Sequence, residues 1–275
     1  MKKSLRKQCY ITIENNKIIG SQLFNIAYLI NILKTKNNEH IKRKIVFNKD
    51  NKLYYDTLFK GLFNILDNEK YDSIKFKIID TVDILDDDAK NIKICKESLD
   101  KLNTFKDIDD ELRKKIIELV YSNEDLMYSA YYKYRDVLNH FGNNTSDNDV
   151  AVIHFMKNPD VDYYNNALYL LRDAYKVTNI AVITDDINWA KTTLNDINEN
   201  ACFSLYYISN DEIYSYEINF ILMSMFKNFI VSDIKFYSAD SLWASYISYY
   251  DNKKIIVSST ISDFNNTHKY ITDII

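Results

Sequence analysis

The sequence predicts an α/β fold built on parallel sheets, and three observations carry that prediction. Between Val150 and Ile275, five short apolar runs alternate with stretches of helical periodicity. That is the pattern of buried parallel strands joined by covering helices. A chain of 275 residues with 47% hydrophobic content can bury a large core, and its length suits two domains of roughly 100–150 residues each. The polar segment Gly142-Asn143-Asn144-Thr145-Ser146-Asp147-Asn148-Asp149 consists of turn-forming residues. It sets the expected boundary between an N-terminal α/β domain, 1–142, and a C-terminal domain with a parallel sheet, 150–275.

The elements follow in order. Cys9-Tyr10-Ile11-Thr12-Ile13 is rich in β-branched and aromatic residues, which suit a pleated surface, and predicts a strand. Turn chemistry follows at 14–17. From Gly20, Leu23, Phe24, Ala27, Ile30 and Leu33 recur at three- and four-residue spacing, one face of a helix. Residues 44–47 and 73–79 read as strands, and 55–66 as a helix. From 109 to about 135, Leu112, Ile116, Leu119, Val120 and Leu126 mark one long helix or two consecutive ones. Beyond the polar segment, strands are expected at 150–155, 179–183, 203–207, 229–232 and 254–257. Helices are expected between them at 162–175, 186–197, 214–226 and 240–250. Ligands of such sheets lie beyond the carboxyl ends of the strands, so the loops after Phe155, Ile183, Tyr207 and Ser232 are the ones to watch.

Composition narrows the function. A formal charge of −4 provides no overall attraction to nucleic acid or anionic lipid, whose partners usually carry a basic excess. Cys9, Cys95 and Cys202 are far apart and odd in number, unlike a disulfide framework or a zinc site, and read as reduced structural thiols. The basic start, Met1-Lys2-Lys3, mimics a signal peptide, but Glu14 to Lys17 interrupt the apolar run behind it. No run approaches the roughly 20 apolar residues that cross a bilayer, and a cytoplasmic location is expected. The 23 tyrosines reflect compositional bias; Tyr131-Tyr132-Lys133-Tyr134 reads as an amphipathic helix with half-buried rings.

Four segments can carry chemistry. In Gly20-Ser21-Gln22-Leu23-Phe24-Asn25, glycine lets backbone approach a ligand, and amides at a helix start can meet a sugar hydroxyl or a phosphate. Equally, it is an ordinary helix turn with Gln22 capping or solvated. In Val152-Ile153-His154-Phe155-Met156-Lys157-Asn158-Pro159-Asp160, His154 closes a strand, where a histidine can simply be buried on one backbone hydrogen bond. Thr184-Asp185-Asp186-Ile187-Asn188-Trp189-Ala190-Lys191 is a strand end whose acid starts a helix. Capping accounts for Asp186 and core packing for Trp189, which leaves Asp185 for a ligand. The fourth segment joins Leu222-Met223-Ser224-Met225-Phe226-Lys227-Asn228-Phe229-Ile230-Val231-Ser232 to Ser238-Ala239-Asp240-Ser241-Leu242-Trp243. Its Ser238 and Ser241 hydroxyls face a ligand or cap a helix.

Taken in order, these segments resemble the family 11 glycosyltransferases, the α-1,2-fucosyltransferase family. The first is similar to Gly-Asn-Gln-Met-Phe-Gln, with Ser21 in place of asparagine. The third is similar to Ser-Asp-Asp-x-x-Trp-Cys-Lys. The fourth is similar to Leu-Met-Ser-x-Cys-Lys-His-x-Ile-Ile-Ala followed by Ser-x-x-Ser-x-Trp, with about four residues inserted after Ser232. The second departs from His-x-Arg-Arg-x-Asp: Met156 and Lys157 stand at the arginines, and the acid is Pro159, or Asp160 after a one-residue shift. A thioether offers neither the charge nor the bidentate donors of arginine, whereas Lys157 supplies a point charge.

The resemblance implies a GT-B-like fold, two Rossmann-like domains facing across a cleft, with the glycan acceptor on the N-terminal side. It implies inverting transfer of fucose from GDP-fucose to a glycan hydroxyl, with no metal cofactor. The nucleotide sugar would meet His154, Lys157, Asp185, Ser238 and Ser241, and a first-loop ligand contact would involve Gly20, Ser21 and Gln22. Asp185 would accept hydrogen bonds from the guanine edge. No residue is assigned as catalytic base; Glu14 and Asp50 are candidates only by expected proximity to the cleft. Two competing readings remain. One is a degenerate, non-catalytic descendant binding a sugar, a nucleotide or a protein. The other is a metal-dependent transferase using Asp86-Asp87-Asp88, which also reads as a solvated helix start.

Overall fold

A computed structural model describes residues 9–13, 18–36, 43–48, 54, 58–59, 64–66, 68–79, 91–94, 105, 108–142, 144–198, 202–209, 215–233, 235–261 and 271–275. The turn at 14–17, Asp50, Asp86 to Asp88, Cys95 and parts of the helix expected at 55–66 lie outside them. The chain divides into two compact units, 1–17 with 21–122, and 18–20 with 123–275.

The first unit holds a five-stranded sheet in the order β3-β2-β1-β5-β4, parallel throughout. Its strands are β1 (Cys9–Ile13), β2 (Arg43–Asn48), β3 (Asn64–Leu66), β4 (Lys77–Ile79) and β5 (Ile92–Ile94). β1 is the central strand, and Ile11 and Ile13 on it are buried. Most of helix α1 (Ile19–Lys36) belongs to this unit and buries Leu23, Phe24, Ala27 and Leu29. Two expectations are corrected. Residues 64–66 are a strand paired with β2, not the end of a helix, and only 77–79 of the expected strand 73–79 is extended, because the short helix α2 (Asn68–Asp72) and a turn precede it. Short apolar runs fit either period, and here tertiary pairing decides between them.

The segment expected as one helix or two is two. α3 (Asp110–Val120) starts where the Asp109 carboxylate accepts from the Leu112 amide at 2.7 Å, and α4 (Glu124–Phe141) starts where Asn123 accepts from the Leu126 amide at 3.3 Å. These are N-caps, satisfying amides that have no partner within the helix. Gly142, with φ at 128°, ends α4, a conformation that glycine adopts without strain. α4 packs on the second unit's helices, and residues 142–149 connect it to the next strand within that unit. Tyr134 and Tyr250 both donate to the Asp147 carboxylate and fix this connection. Burial raises the Tyr134 hydroxyl far above its ordinary range and the Tyr250 hydroxyl to about 12.

The second unit is a six-stranded parallel sheet in the order β11-β10-β9-β6-β7-β8. The strands are β6 (Val150–His154), β7 (Asn179–Thr184), β8 (Ser204–Ser209), β9 (Asn228–Ile230), β10 (Lys254–Val257) and β11 (Asp273–Ile274). Between them run α5 (Val161–Asp173), α6 (Ile187–Asn198), α7 (Ser215–Ser224) and α8 (Lys235–Ile247). Ala151, Ile153, Ile180 and Val182 share one core with Tyr164, Leu168 and Leu171 of α5 and with Ala190 and Leu194 of α6. Strand neighbours of opposite parity, Val150, Val152, Ala181 and Ile183, are buried as well. Both faces are therefore covered, as the near-continuous apolar runs require. α8 ends on the buried Lys253 ammonium, which donates to the carbonyls of Ser245, Tyr246 and Ser248 at 2.7, 3.3 and 3.2 Å, satisfying acceptors at the helix terminus. Among the described residues, no helix is long and apolar enough to cross a membrane.

Candidate functional site

The order of the second sheet locates its crevice. From β6 the strands step outward through β7 to β8, and β9 then restarts on the other side of β6. The connections to the two sides diverge there, and the carboxyl ends of β6 and β9 form a switch point, where open parallel sheets take ligands. All the loops that the sequence singled out leave strands on this edge.

The loop after β6 places its residues unevenly. His154 is buried at the strand end, and its carbonyl accepts from the Tyr164 hydroxyl at 3.2 Å. Met156 is 2% exposed, so its thioether is packed inside. Lys157 reaches outward and pairs with Asp186 at 3.0 Å, both partners well exposed. Asp160 caps α5, accepting from the amides of Asp162 and Tyr163 at 3.1 and 3.3 Å. Its own amide donates to Asp233, in the loop after β9, at 2.5 Å. That bond closes the switch point from one side to the other. Beneath it, the Tyr163 hydroxyl lies 2.7 Å from the Val231 carbonyl and 3.1 Å from that of Ile256. Burial raises the Tyr163 and Tyr164 hydroxyls well above their ordinary range, which keeps both protonated as donors.

At the end of β7 the two acids separate in role. Asp186 caps α6: its carboxylate accepts from the Trp189 amide at 3.0 Å, and its amide donates to the Thr184 hydroxyl at 3.2 Å. The Trp189 amide first, then the Lys157 ammonium, lowers its pKa. The Trp189 ring stacks on Phe155 at 5.1 Å, the core role expected of it. Asp185 points elsewhere and accepts from the Tyr216 hydroxyl at 3.1 Å.

The serines of α8 lie inside the helix and are buried, so neither is an N-cap. The Ser241 hydroxyl donates to the Ser238 carbonyl at 3.3 Å and accepts from the Ser232 amide at 3.1 Å, tying α8 to the loop after β9. Between them stands Asp240, which sequence reasoning did not single out. Its carboxyl is 7% exposed and accepts from the Gly20 amide at 2.6 Å. Burial pushes its pKa up to about 7, against the opposing effect of that hydrogen bond. Gly20 belongs to the second unit. A Cβ on it would lie 2.3 Å from the Ala239 carbonyl carbon and oxygen. Its missing side chain therefore has a structural reason, a close approach of backbone to backbone. Ser21 and Gln22 fall in the first unit and are buried there.

The structure thus gathers His154, Lys157, Asp185, Ser238 and Ser241 on one edge of one sheet, and Gly20 beside Asp240. The two candidate bases, Glu14 and Asp50, lie outside the described residues. Among the described residues no group of three or more His, Cys, Asp or Glu side chains could hold a metal ion. The approach of Gly20 to Asp240 spans 220 positions, and no local pattern marks it. The only hint was an acid among the serines of an otherwise apolar helix.

Comparison with known proteins agrees with this geometry. Residues 149–272 match the sequence model of glycosyl transferase family 11, a stretch that contains the second, third and fourth of the segments carrying the resemblance and leaves the first outside. The O-antigen biosynthesis glycosyltransferase WbnK of Escherichia coli is 27% identical over 176 residues, 60% of this chain and 55% of that protein. The chain thus spans about half the length of this curated relative. Among solved structures, a family 9 glycosyl transferase from Veillonella parvula superposes with a TM-score of 0.55 at 8% identity, over 98% of this chain and 87% of that one. The ADP-heptose LPS heptosyltransferase II of E. coli gives 0.50 at 10% identity, over 97% and 90%. At such identities the likeness concerns the fold, which is α/β and GT-B-like with a parallel sheet in each unit.

Proposed function

We propose that the protein is an inverting glycosyltransferase that passes fucose from GDP-fucose to a glycan hydroxyl. The observation that carries the reading is the family match over 149–272, whose landmark residues converge on the switch-point edge of a Rossmann-ordered sheet. In this reading the acceptor oxygen attacks the anomeric carbon as the diphosphate leaves from the opposite face, and the acceptor proton passes to a base. Charge developing on the diphosphate needs donors that are already in place. Lys157 supplies the positive charge, Ser238 and Ser241 border the nucleotide, His154 supports the strand end beneath it, and Asp185 accepts from the guanine edge after exchanging its bond with Tyr216. Gly20, Ser21 and Gln22 meet the sugar side, and the first unit takes the acceptor. No metal takes part, so turnover is expected to persist in EDTA; loss restored by Mn²⁺ would reverse that assignment.

A second reading, a non-catalytic protein of the same fold, is favoured by one observation. Met156, at the position of the family's first arginine, is packed inside and gives the phosphates nothing. One screen separates the readings. A ligand selective for the native state raises its melting temperature by mass action. GDP and GDP-fucose are expected to do so and UDP-sugars are not. GDP binding without release of fucose to any acceptor would favour the non-catalytic reading, and no response to GDP would overturn both nucleotide assignments.

A further inference from the structure

Away from the switch point, a cavity of about 450 Å³ opens beside the edge strand β8. It is lined by Lys133 and Asp136 of α4, Ile187 at the start of α6, and Tyr206, Tyr207 and Ser209 of β8. Its size lies in the range of small-ligand sites, roughly 300–1,000 Å³. β7 separates β8 from β6, so at about 4.8 Å per strand the cavity begins roughly 10 Å along the sheet from the switch point.

Three features define what it would hold. First, its rings are fixed in advance. Tyr206 packs at 4.8 Å from the His140 ring at the end of α4, and the Lys191 ammonium lies 5.5 Å from the centre of the Tyr207 ring. Rings held this way lose little freedom when a ligand arrives. Second, one hydroxyl of the lining stands uncommitted. The Tyr207 hydroxyl is buried with no hydrogen-bond partner among the described residues, a condition that normally costs stability and marks a site needing explanation. Third, among the described lining residues the Lys133 ammonium and the Asp136 carboxylate carry opposite charge, a balance that favours a neutral ligand over an ionic one. On the solvent side, α4 continues the surface with Tyr128 and Tyr132, 63% and 66% exposed, one helical turn apart on the same face as Asp136.

We propose that this cavity and the adjoining tyrosine face of α4 bind a neutral oligosaccharide, a part of the acceptor glycan remote from the reacting hydroxyl. The inference rests on the transferase reading for the identity of the ligand. Tyrosine rings offer apolar faces to the C–H side of sugar rings, while Lys133, Asp136, Ser209 and the Tyr207 hydroxyl address sugar hydroxyls. A neutral polyhydroxylated chain satisfies both demands at once, whereas an aliphatic ligand leaves the polar groups unpaired.

The test uses the full chain on a printed array of neutral and anionic oligosaccharides, with the GDP-induced melting shift measured in parallel. The wild type is expected to retain a subset of neutral glycans. Tyr132→Ala with Asp136→Ala, both exposed positions, is expected to lower that binding about tenfold, a loss of the order of one good contact, with the GDP shift unchanged. Tyr207→Phe keeps the ring and removes only the hydroxyl, so it should weaken the same glycans without loss of fold. Retention of no neutral glycan by the wild type, or equal binding by the variants, would overturn the proposal. A variant that loses the GDP response as well would reassign the cavity to the nucleotide, and preference for anionic glycans would refute the charge argument. Glycan binding in a wild type indifferent to GDP would leave this site standing and sink the transferase reading instead.

Discussion

Replacing Gly20 by alanine separates two reasons for a glycine at the first turn of α1. In an open helix the change stabilises by about 1 kcal/mol, because alanine has the best helix propensity and glycine one of the poorest. Here the new Cβ would lie 2.3 Å from two backbone atoms of Ala239 and 2.6 Å from the Asp240 amide nitrogen. Backbone inside a helix cannot swing aside as a side chain does, so the segments must separate. Overpacking of this kind costs typically about 1–3 kcal/mol. Separation also stretches the 2.6 Å bond from the Gly20 amide to Asp240, and leaving a buried carboxyl oxygen short of a donor adds about 1–3 kcal/mol. Set against the helix gain, the net expectation is a loss of about 1–5 kcal/mol. Urea denaturation followed by circular dichroism reads this as a lower midpoint at unchanged slope. Gly20→Ala in an Asp240→Ala background isolates the steric part, since the hydrogen bond is already gone, and the two changes should be less than additive. A stability gain for Gly20→Ala would refute the close approach and return Gly20 to the role of a ligand-facing glycine.

The same carboxyl predicts a pH dependence. Asp240 holds its proton up to about pH 7 in the folded protein and up to 3.8 in the unfolded chain. Between those values the native state binds the extra proton, and its stability falls as pH rises. Asp240→Asn, which retains an acceptor for Gly20, should gain on the wild type by up to about 1.4 kcal/mol per pH unit between pH 4 and 7; parallel stability curves would show that burial does not perturb this acid. Met156→Arg places a charge in a packed position and should lower the melting temperature, while enlarging the shift that GDP produces if the new guanidinium reaches the diphosphate; a GDP shift equal to that of the wild type would remove this strand end from the phosphate site. Lys157→Ala breaks an exposed ion pair, which seldom matters to stability, and should leave the melting temperature unchanged while weakening GDP about tenfold, the scale of one charge-assisted contact; unaltered affinity in titration calorimetry would remove Lys157 from the site.

What the sequence made legible follows from how each element is stabilised. The strands of the second unit were readable because Val150 to His154 and Ile180 to Thr184 are buried on both faces, and such strands stand out as continuous apolar runs. β5 has only three residues, and β11 only two held by pairing with β10, too short for any period to register. At α8 the helix begins at Lys235 rather than 240, because the residues before Asp240 show no apolar periodicity. Within the site, Asp186 was recognisable as a cap because capping is local, with its acceptor three residues from the donor it satisfies. The contacts of Asp160 with Asp233 and of Gly20 with Asp240 cross 73 and 220 positions, and only the folded sheet brings them together.

Those long-range contacts share a consequence for ligand binding. A helix start is a ready seat for a phosphate because its first amides lack partners. At three helix starts this seat is already taken by the chain's own acids: Asp160 at α5, Asp186 at α6, and Asp240 at the Gly20 amide of α1. The other polar groups on the same edge are engaged too, Lys157 with Asp186, Asp185 with Tyr216, and Ser241 with the Ser232 amide. A diphosphate entering here must exchange partners with the protein rather than fill vacant donors. The cheapest exchange is the exposed pair of Lys157 with Asp186, since an exposed ion pair holds its members weakly and salt weakens it further. The buried acceptors are costlier to strip, because each would be left without its donor. Lys157 is therefore the group that can turn toward a diphosphate at little cost. Met156, which the resemblance sets at the family's first arginine, is packed inside, so in the proposed reading Lys157 is the residue of this strand end that supplies charge to the diphosphate.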